Sequence, residues 1–84
     1  MNYIDEDKKT LLHVAAMNNN VSLILKALDN DNNINAKDKN GMTPLHYAAE
    51  CGKTEAIQIL INNGANIKVT DSENKYPLHY AILS

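Results

Sequence analysis

The sequence predicts an all-α repeat protein, a short α-solenoid built from stacked helix–turn–helix units joined by β-hairpin or finger loops. Three observations carry that reading. The chain of 84 residues repeats itself at a spacing of 33. Turn and cap signals fall at the same place in each unit, and the apolar residues between them follow helical spacing.

The repeat shows best around the histidines. Thr10-Leu11-Leu12-His13 returns as Thr43-Pro44-Leu45-His46 and as Tyr76-Pro77-Leu78-His79. Asp5, Asp38 and Asp71 share a column; so do Ala15, Ala48 and Ala81, and so do Val14, Tyr47 and Tyr80. Ile34 aligns with Ile67, and every histidine of the chain stands in one column. The units run from about 5–37, 38–70 and 71–84, within one domain spanning 1–84.

The middle unit shows how each element arises. Asn40-Gly41 marks a turn, because Gly41 can take positive φ. Thr43 can cap a helix and Pro44 suits its first position. Leu45, Ala48 and Ala49 then form one apolar face, whose small alanines allow close approach of neighbouring helices. Gly52 ends this helix. A second helix starts near Thr54, which with Glu55 resembles an N-terminal cap. Its apolar residues Ala56, Ile57, Ile59, Leu60 and Ile61 reach most of the way round, as in a layer sandwiched between layers. Asn63-Gly64 stops it, and an extended finger leads to the next turn around 71–74.

The outer units depart from this plan. Lys8 replaces the turn glycine and Leu11 the proline of the first unit. Asn19 stands where the inter-helix glycine is expected and can adopt the same left-handed backbone. Asp31 replaces the glycine that ends the second helix. This unit reads as an atypical N-terminal cap. In the third unit Tyr76 replaces Thr and Asn74 replaces Gly, and the unit is cut short inside its first helix.

These residues resemble the ankyrin repeat. The pattern reads Asp38, Gly41, Thr43, Pro44, Leu45, His46, Ala48 and Ala49, followed after the second helix by Gly64-Ala65-Asn66. The resemblance covers essentially the whole chain. It implies a module that binds proteins through its finger tips and the inner, concave face of each first helix.

Composition excludes other classes. Eight Lys and no Arg stand against ten acidic residues, giving a net charge of −2. A nucleic-acid reader of this size would be basic, so no nucleic-acid partner is expected. No apolar run is long enough to span a membrane, so no membrane partner is expected either. The polar start, residues 1–10, does not read as a signal peptide. Cys51 is the single cysteine; a secreted chain this small usually needs several. The expected compartment is reducing, either cytoplasmic or nuclear. Thirteen residues are Asn, a type that favours turns and tolerates left-handed backbone.

No constellation carries catalytic chemistry. Equivalent positions in stacked helical units lie roughly 10 Å apart, too far for His13, His46 and His79 to share a zinc ion, whose nitrogen ligands lie about 2.0–2.1 Å from the metal. In the ankyrin-like reading each His bonds finger backbone instead. Cys51 has no base beside it to activate the thiol. Asp5-Glu6-Asp7 lacks the spacing of a calcium loop, and no phosphate-binding glycine motif occurs. No enzyme activity, metal or cofactor is expected.

Carried over by position, the resemblance places partner contacts at Lys37, Lys39, Asn40, Met42, Tyr47 and Glu50 of the second unit, and at Ser72, Glu73, Lys75 and Tyr80 of the third, joined by Thr70. The first unit adds Glu6, Asp7, Lys9, Val14 and Met17. Met42 and the tyrosines would be apolar anchors in a surface of mixed sign; alternatively each Tyr ring packs against the next unit and exposes only its hydroxyl. A second expectation is a scaffolding or assembly segment, in which the open C-terminal end at Ala81-Ile82-Leu83 packs on another repeat or a second copy. A third is a regulatory fragment of a larger repeat-containing protein. A cut third unit leaves one side of the stack open, which favours completion by a partner or by more chain.

Overall fold

The computed structural model describes residues 8–30 and 33–83, with side chains as far as residue 80. Five helices follow in order: α1 (Leu11–Met17), α2 (Val21–Asp29), α3 (Pro44–Glu50), α4 (Thr54–Asn62) and α5 (Pro77–Leu83). Helices α1, α3 and α5 pack side by side as an inner row; α2 and α4 form an outer row behind α1 and α3. The fingers are loops: among the described residues no strand forms. No helix among them is long and apolar enough to cross a membrane.

The first helices start as their sequences dictate. Thr10 and Thr43 are the N-caps of α1 and α3, and each accepts from the backbone N–H of His13 or His46. The histidines complete a reciprocal box. Nδ1 of His13 accepts from Thr10 N–H at 2.9 Å, and Nδ1 of His46 from Thr43 N–H at 3.1 Å. In α5, Tyr76 has no hydroxyl at that position, and only the half with Tyr76 N–H on His79 Nδ1 remains, at 2.8 Å.

Helices α1, α3 and α4 also stop on a residue of positive φ. Asn19, Gly52 and Gly64 have φ of 53°, 66° and 93°. The following N–H turns back to a carbonyl inside the helix: Asn20 to Ala15, Lys53 to Ala48, Ala65 to Leu60. The finger column behaves alike, with Lys8, Gly41 and Asn74 at 64°, 74° and 61°. At Gly41 a side chain is also excluded sterically, since an added Cβ would lie 2.9 Å from Ser72 N.

The core is a single layer between the two rows. Leu12, Ala15, Ala16, Ile24, Ala27, Leu45, Ala48, Ala56 and Leu60 form it. Fully burying one such leucine contributes about 1.5–3 kcal/mol. The outer helix α4 is not buried all round: Ile61 is 45% exposed. The expected cap at Thr54 is a correction. Lys53 is the N-cap and gives no side-chain bond, and Thr54 is the first helical residue. The capping acceptor comes from the preceding unit, where Asn19 Oδ1 takes the N–H of Ala56 at 3.0 Å and Asn19 Nδ2 donates to Glu55 Oε1 at 3.2 Å.

Candidate functional site: a groove beneath the fingers

The second and third fingers are each held by one carboxylate. Asp38 Oδ1 accepts the N–H groups of Asn40 and Met42, both at 2.9 Å, while Oδ2 accepts the Tyr47 hydroxyl. Asp71 repeats the arrangement with Glu73 and Lys75 N–H, both at 2.9 Å, and the Tyr80 hydroxyl. A carboxylate satisfied by three donors can stay charged although buried. Burial pushes the Asp71 carboxyl up, but the Tyr80 hydroxyl and the two N–H groups outweigh it and hold it below its ordinary value. Burial and the same carboxylate push the Tyr80 phenol up, so it remains a neutral donor.

The histidines tie successive units together. His13 Nε2 donates to the Met42 carbonyl at 2.8 Å, and His46 Nε2 to the Lys75 carbonyl at 2.9 Å. Because Nδ1 already accepts a backbone N–H, the tautomer is set with the proton on Nε2. Both nitrogens of both rings are thus engaged, which leaves no lone pair for a metal. Burial pushes the His13 pKa down, outweighing the carbonyl bond that pulls it up. His13 also meets Tyr47 edge-on at 5.7 Å, and His46 meets Tyr80 at 5.9 Å. Lys9 lies over the Tyr47 ring at 5.4 Å, 3.9 Å from Asp38 Oδ2.

Asparagines add further links. Asn35 Oδ1 accepts Asn66 N–H at 2.8 Å, across two units. Ser72 N–H donates to the Asn40 carbonyl at 2.9 Å and stitches the second finger to the third. This fixes the distance between the two fingers and the inner helices behind them. An open groove of about 420 Å³ results, lined by Asn40, Met42, Glu50, Asp71, Ser72, Glu73, Lys75 and Tyr80.

Of the contacts that the resemblance implied, the groove brings together Asn40, Met42, Glu50, Ser72, Glu73, Lys75 and Tyr80. Asn40, Glu50, Ser72 and Glu73 are exposed along the groove, and Lys75 and Tyr80 are half-buried in its wall. Lys37 and Lys39 are exposed on the second finger outside the groove lining. Met42 and Tyr47 correct the expectation of exposed anchors. They are 7% and 6% exposed, because the Met42 backbone is drawn in by His13 and Asp38 and the Tyr47 hydroxyl is drawn to Asp38. Of the first-unit contacts, Val14 and Met17 are half-buried, as is Thr70 in the third finger. Glu6 and Asp7 lie outside the described residues, as do Asp5, Asp31 and the side chains of Ala81, Ile82 and Leu83.

The groove is polar and carries more acid than base. Glu50, Asp71 and Glu73 face one lysine, Lys75, which pairs with Glu73 Oε1 at 3.2 Å and lies over Tyr80 at 5.6 Å. Cys51, just past α3, is an exposed free thiol. Sequence reasoning missed Asp71 as part of the groove and Asn19 as a cap. Asp71 was visible as a column; Asn19 left only its left-handed turn.

Comparison with known families gives one result: the model for ankyrin repeats (3 copies) matches residues 12–84. No curated protein matches the chain.

Proposed function

The chain belongs to the ankyrin repeat family, and on that premise we propose that it is a non-catalytic protein-binding module whose reading surface is the groove under the second and third fingers. Ankyrin repeats are generally protein–protein interaction modules. The observation that supports this particular surface is convergence. Residues from two fingers and two inner helices meet around one open polar groove, while the groups beneath it are consumed in holding the frame. Rigidity of this kind lowers the ordering cost of binding. The excess of carboxylates favours a partner segment bearing Lys or Arg. The lone thiol suits a cytoplasmic or nuclear setting.

The test is selection of peptides from a displayed random library against the whole chain, followed by amide mapping. Selected peptides should shift Asn40, Glu50, Ser72 and Glu73, and Glu50→Lys with Glu73→Lys should weaken them at least tenfold at unchanged helicity. Peptides that map elsewhere, or ignore the double reversal, would refute the assignment.

A further inference from the structure

The groove under the second and third fingers has a counterpart one unit earlier. Moving its lining back by the 33-residue period pairs Met42 with Lys9, Glu50 with Met17, Asp71 with Asp38, Glu73 with Asn40 and Tyr80 with Tyr47. The tyrosine and its carboxylate are built alike in both places, with the Tyr47 hydroxyl on Asp38 and the Tyr80 hydroxyl on Asp71. In the earlier unit a lysine lies on this pair, supplied by the finger before the tyrosine. The Lys9 ammonium sits 5.4 Å from the centre of the Tyr47 ring and 3.9 Å from Asp38 Oδ2, with 19% of the lysine side chain exposed.

In the later unit that position is Met42, whose side chain ends without a charge. Among the described residues no lysine pairs with Asp71. Lys75 lies over the Tyr80 ring at 5.6 Å, but it comes from the same finger as Asp71, and its ammonium is held by Glu73 Oε1 at 3.2 Å. The surroundings change in the opposite sense: Met17 gives way to Glu50, and Asn40 to Glu73. Where the earlier unit carries its lysine, the later one has two further carboxylates around an open space of about 420 Å³.

We infer that this space takes a lysine side chain of the partner protein, its ammonium placed against Tyr80, Asp71 and Glu50 as the Lys9 ammonium is placed against Tyr47 and Asp38. This rests on the groove reading and adds to it the chemistry of one partner side chain. The tyrosine face attracts a cation, and the buried Met42 gives the aliphatic stem of a lysine an apolar wall. The clasp selects lysine over arginine. Asp71 Oδ1 already accepts the N–H groups of Glu73 and Lys75, and Oδ2 the Tyr80 hydroxyl. Asp71 therefore has no free pair of oxygens to meet a guanidinium fork, whereas an ammonium approaches as a point charge, as Lys9 does at Asp38.

The probe is a short peptide, blocked at both ends, with a single lysine flanked by glycine and serine. It is titrated into the isotope-labelled whole chain beside versions with norleucine or arginine in place of the lysine. The lysine peptide should shift the Tyr80 ring and Glu50 saturably. The norleucine version should bind at least about tenfold more weakly, and the arginine version at least about threefold. Met42→Lys should fill the space from within. Its ε-methylene protons should move upfield over Tyr80, as those of Lys9 do over Tyr47, and binding of the lysine peptide should fall at least about tenfold. Ser72→Lys adds the same charge to the rim of the groove and should weaken binding less than about threefold. Lys9→Met makes the reverse exchange and should open a second lysine site at Tyr47, a readout that stands even where Met42→Lys loses helicity. Norleucine or arginine peptides that bind as tightly as the lysine peptide, equal losses from Met42→Lys and Ser72→Lys, or no saturable shift at Tyr80 would each overturn the inference. Library-selected peptides that map to the groove without needing a lysine would also overturn it and leave the groove reading standing. Selected peptides that map elsewhere, while the lysine peptide still shifts Tyr80, would count against the groove reading alone.

Discussion

Replacing Asn19 separates two jobs that one side chain performs. Its backbone sits at φ 53°, and its side chain caps α4 from the neighbouring unit through Ala56 N–H at 3.0 Å. Asn19→Gly keeps the backbone accessible and removes the acceptor together with the exposed bond to Glu55; loss of the cap costs about 1 kcal/mol. Asn19→Ala removes the acceptor and adds about 1 kcal/mol for left-handed alanine, so about 2 kcal/mol in all. For a domain of this size each kcal/mol lowers Tm by about 4–8 °C. Thermal unfolding followed by CD should therefore rank wild type, Asn19→Gly and Asn19→Ala in that order, with similar steps. Because the lost bond lies between units, amide exchange should rise at Ala56 in both variants. A glycine variant as stable as wild type, with Ala56 still protected, would refute the inter-unit cap.

Other outcomes follow from the same frame. Gly41→Ala should cost about 2 kcal/mol or more, since left-handed strain is joined by a 2.9 Å approach to Ser72 N, whereas Gly52→Ala meets nothing within 4 Å and should cost only the strain, about 1 kcal/mol; urea titration of both compares them. His13 has its folded pKa below the ordinary 6.5, so the unfolded chain binds protons first as pH falls. Its stabilising contribution is complete above 6.5 and is lost as pH drops through the lowered value. Urea midpoints should thus fall between pH 7.5 and 5, and His13→Gln should be less stable throughout but flatter across that window. Tyr80→Phe should loosen the third finger by leaving Asp71 Oδ2 without its donor, which faster amide exchange at Glu73 and Lys75 would report.

Local signals were legible in the sequence wherever the responsible atoms sit close along the chain. The Thr43 cap, the stops at Gly52 and Gly64 and the left-handed turn at Asn19 all act within a few residues. The misplaced features act across units. Asn19 caps a helix 37 residues away and Asn35 bonds a backbone group 31 residues away, so an asparagine count could show turn preference but not these bonds. Met42 and Tyr47 lie deeper than expected for a mixed reason. His13 of the preceding unit holds the Met42 carbonyl, while Asp38 of their own unit takes the Met42 N–H and the hydroxyl of Tyr47, whose column borders the concave face. Tyr80, in the same column, stays half-buried at the end of the stack.

Most of the bonds described between the units share one property, the Asn19–Glu55 bond and the Lys9–Asp38 pair apart. They end on a backbone atom: the carbonyls of Met42, Lys75 and Asn40, and the N–H groups of Ala56, Asn66 and Ser72. A backbone atom is supplied by almost any residue, so these bonds fix the spacing of the fingers without dictating the side chains that the fingers display. The carboxylate clasp does the same, since Asp38 and Asp71 bind the N–H groups of Asn40, Met42, Glu73 and Lys75 rather than their side chains. Frame and reading surface are thereby separable. Substitutions at Asn40, Ser72 or Glu73 should alter what is bound with little effect on stability, and substitutions at Asp38, His13 or Asn19 should do the reverse. If double-mutant cycles between the two sets showed strong coupling in stability, the frame would depend on its surface and this division would fail.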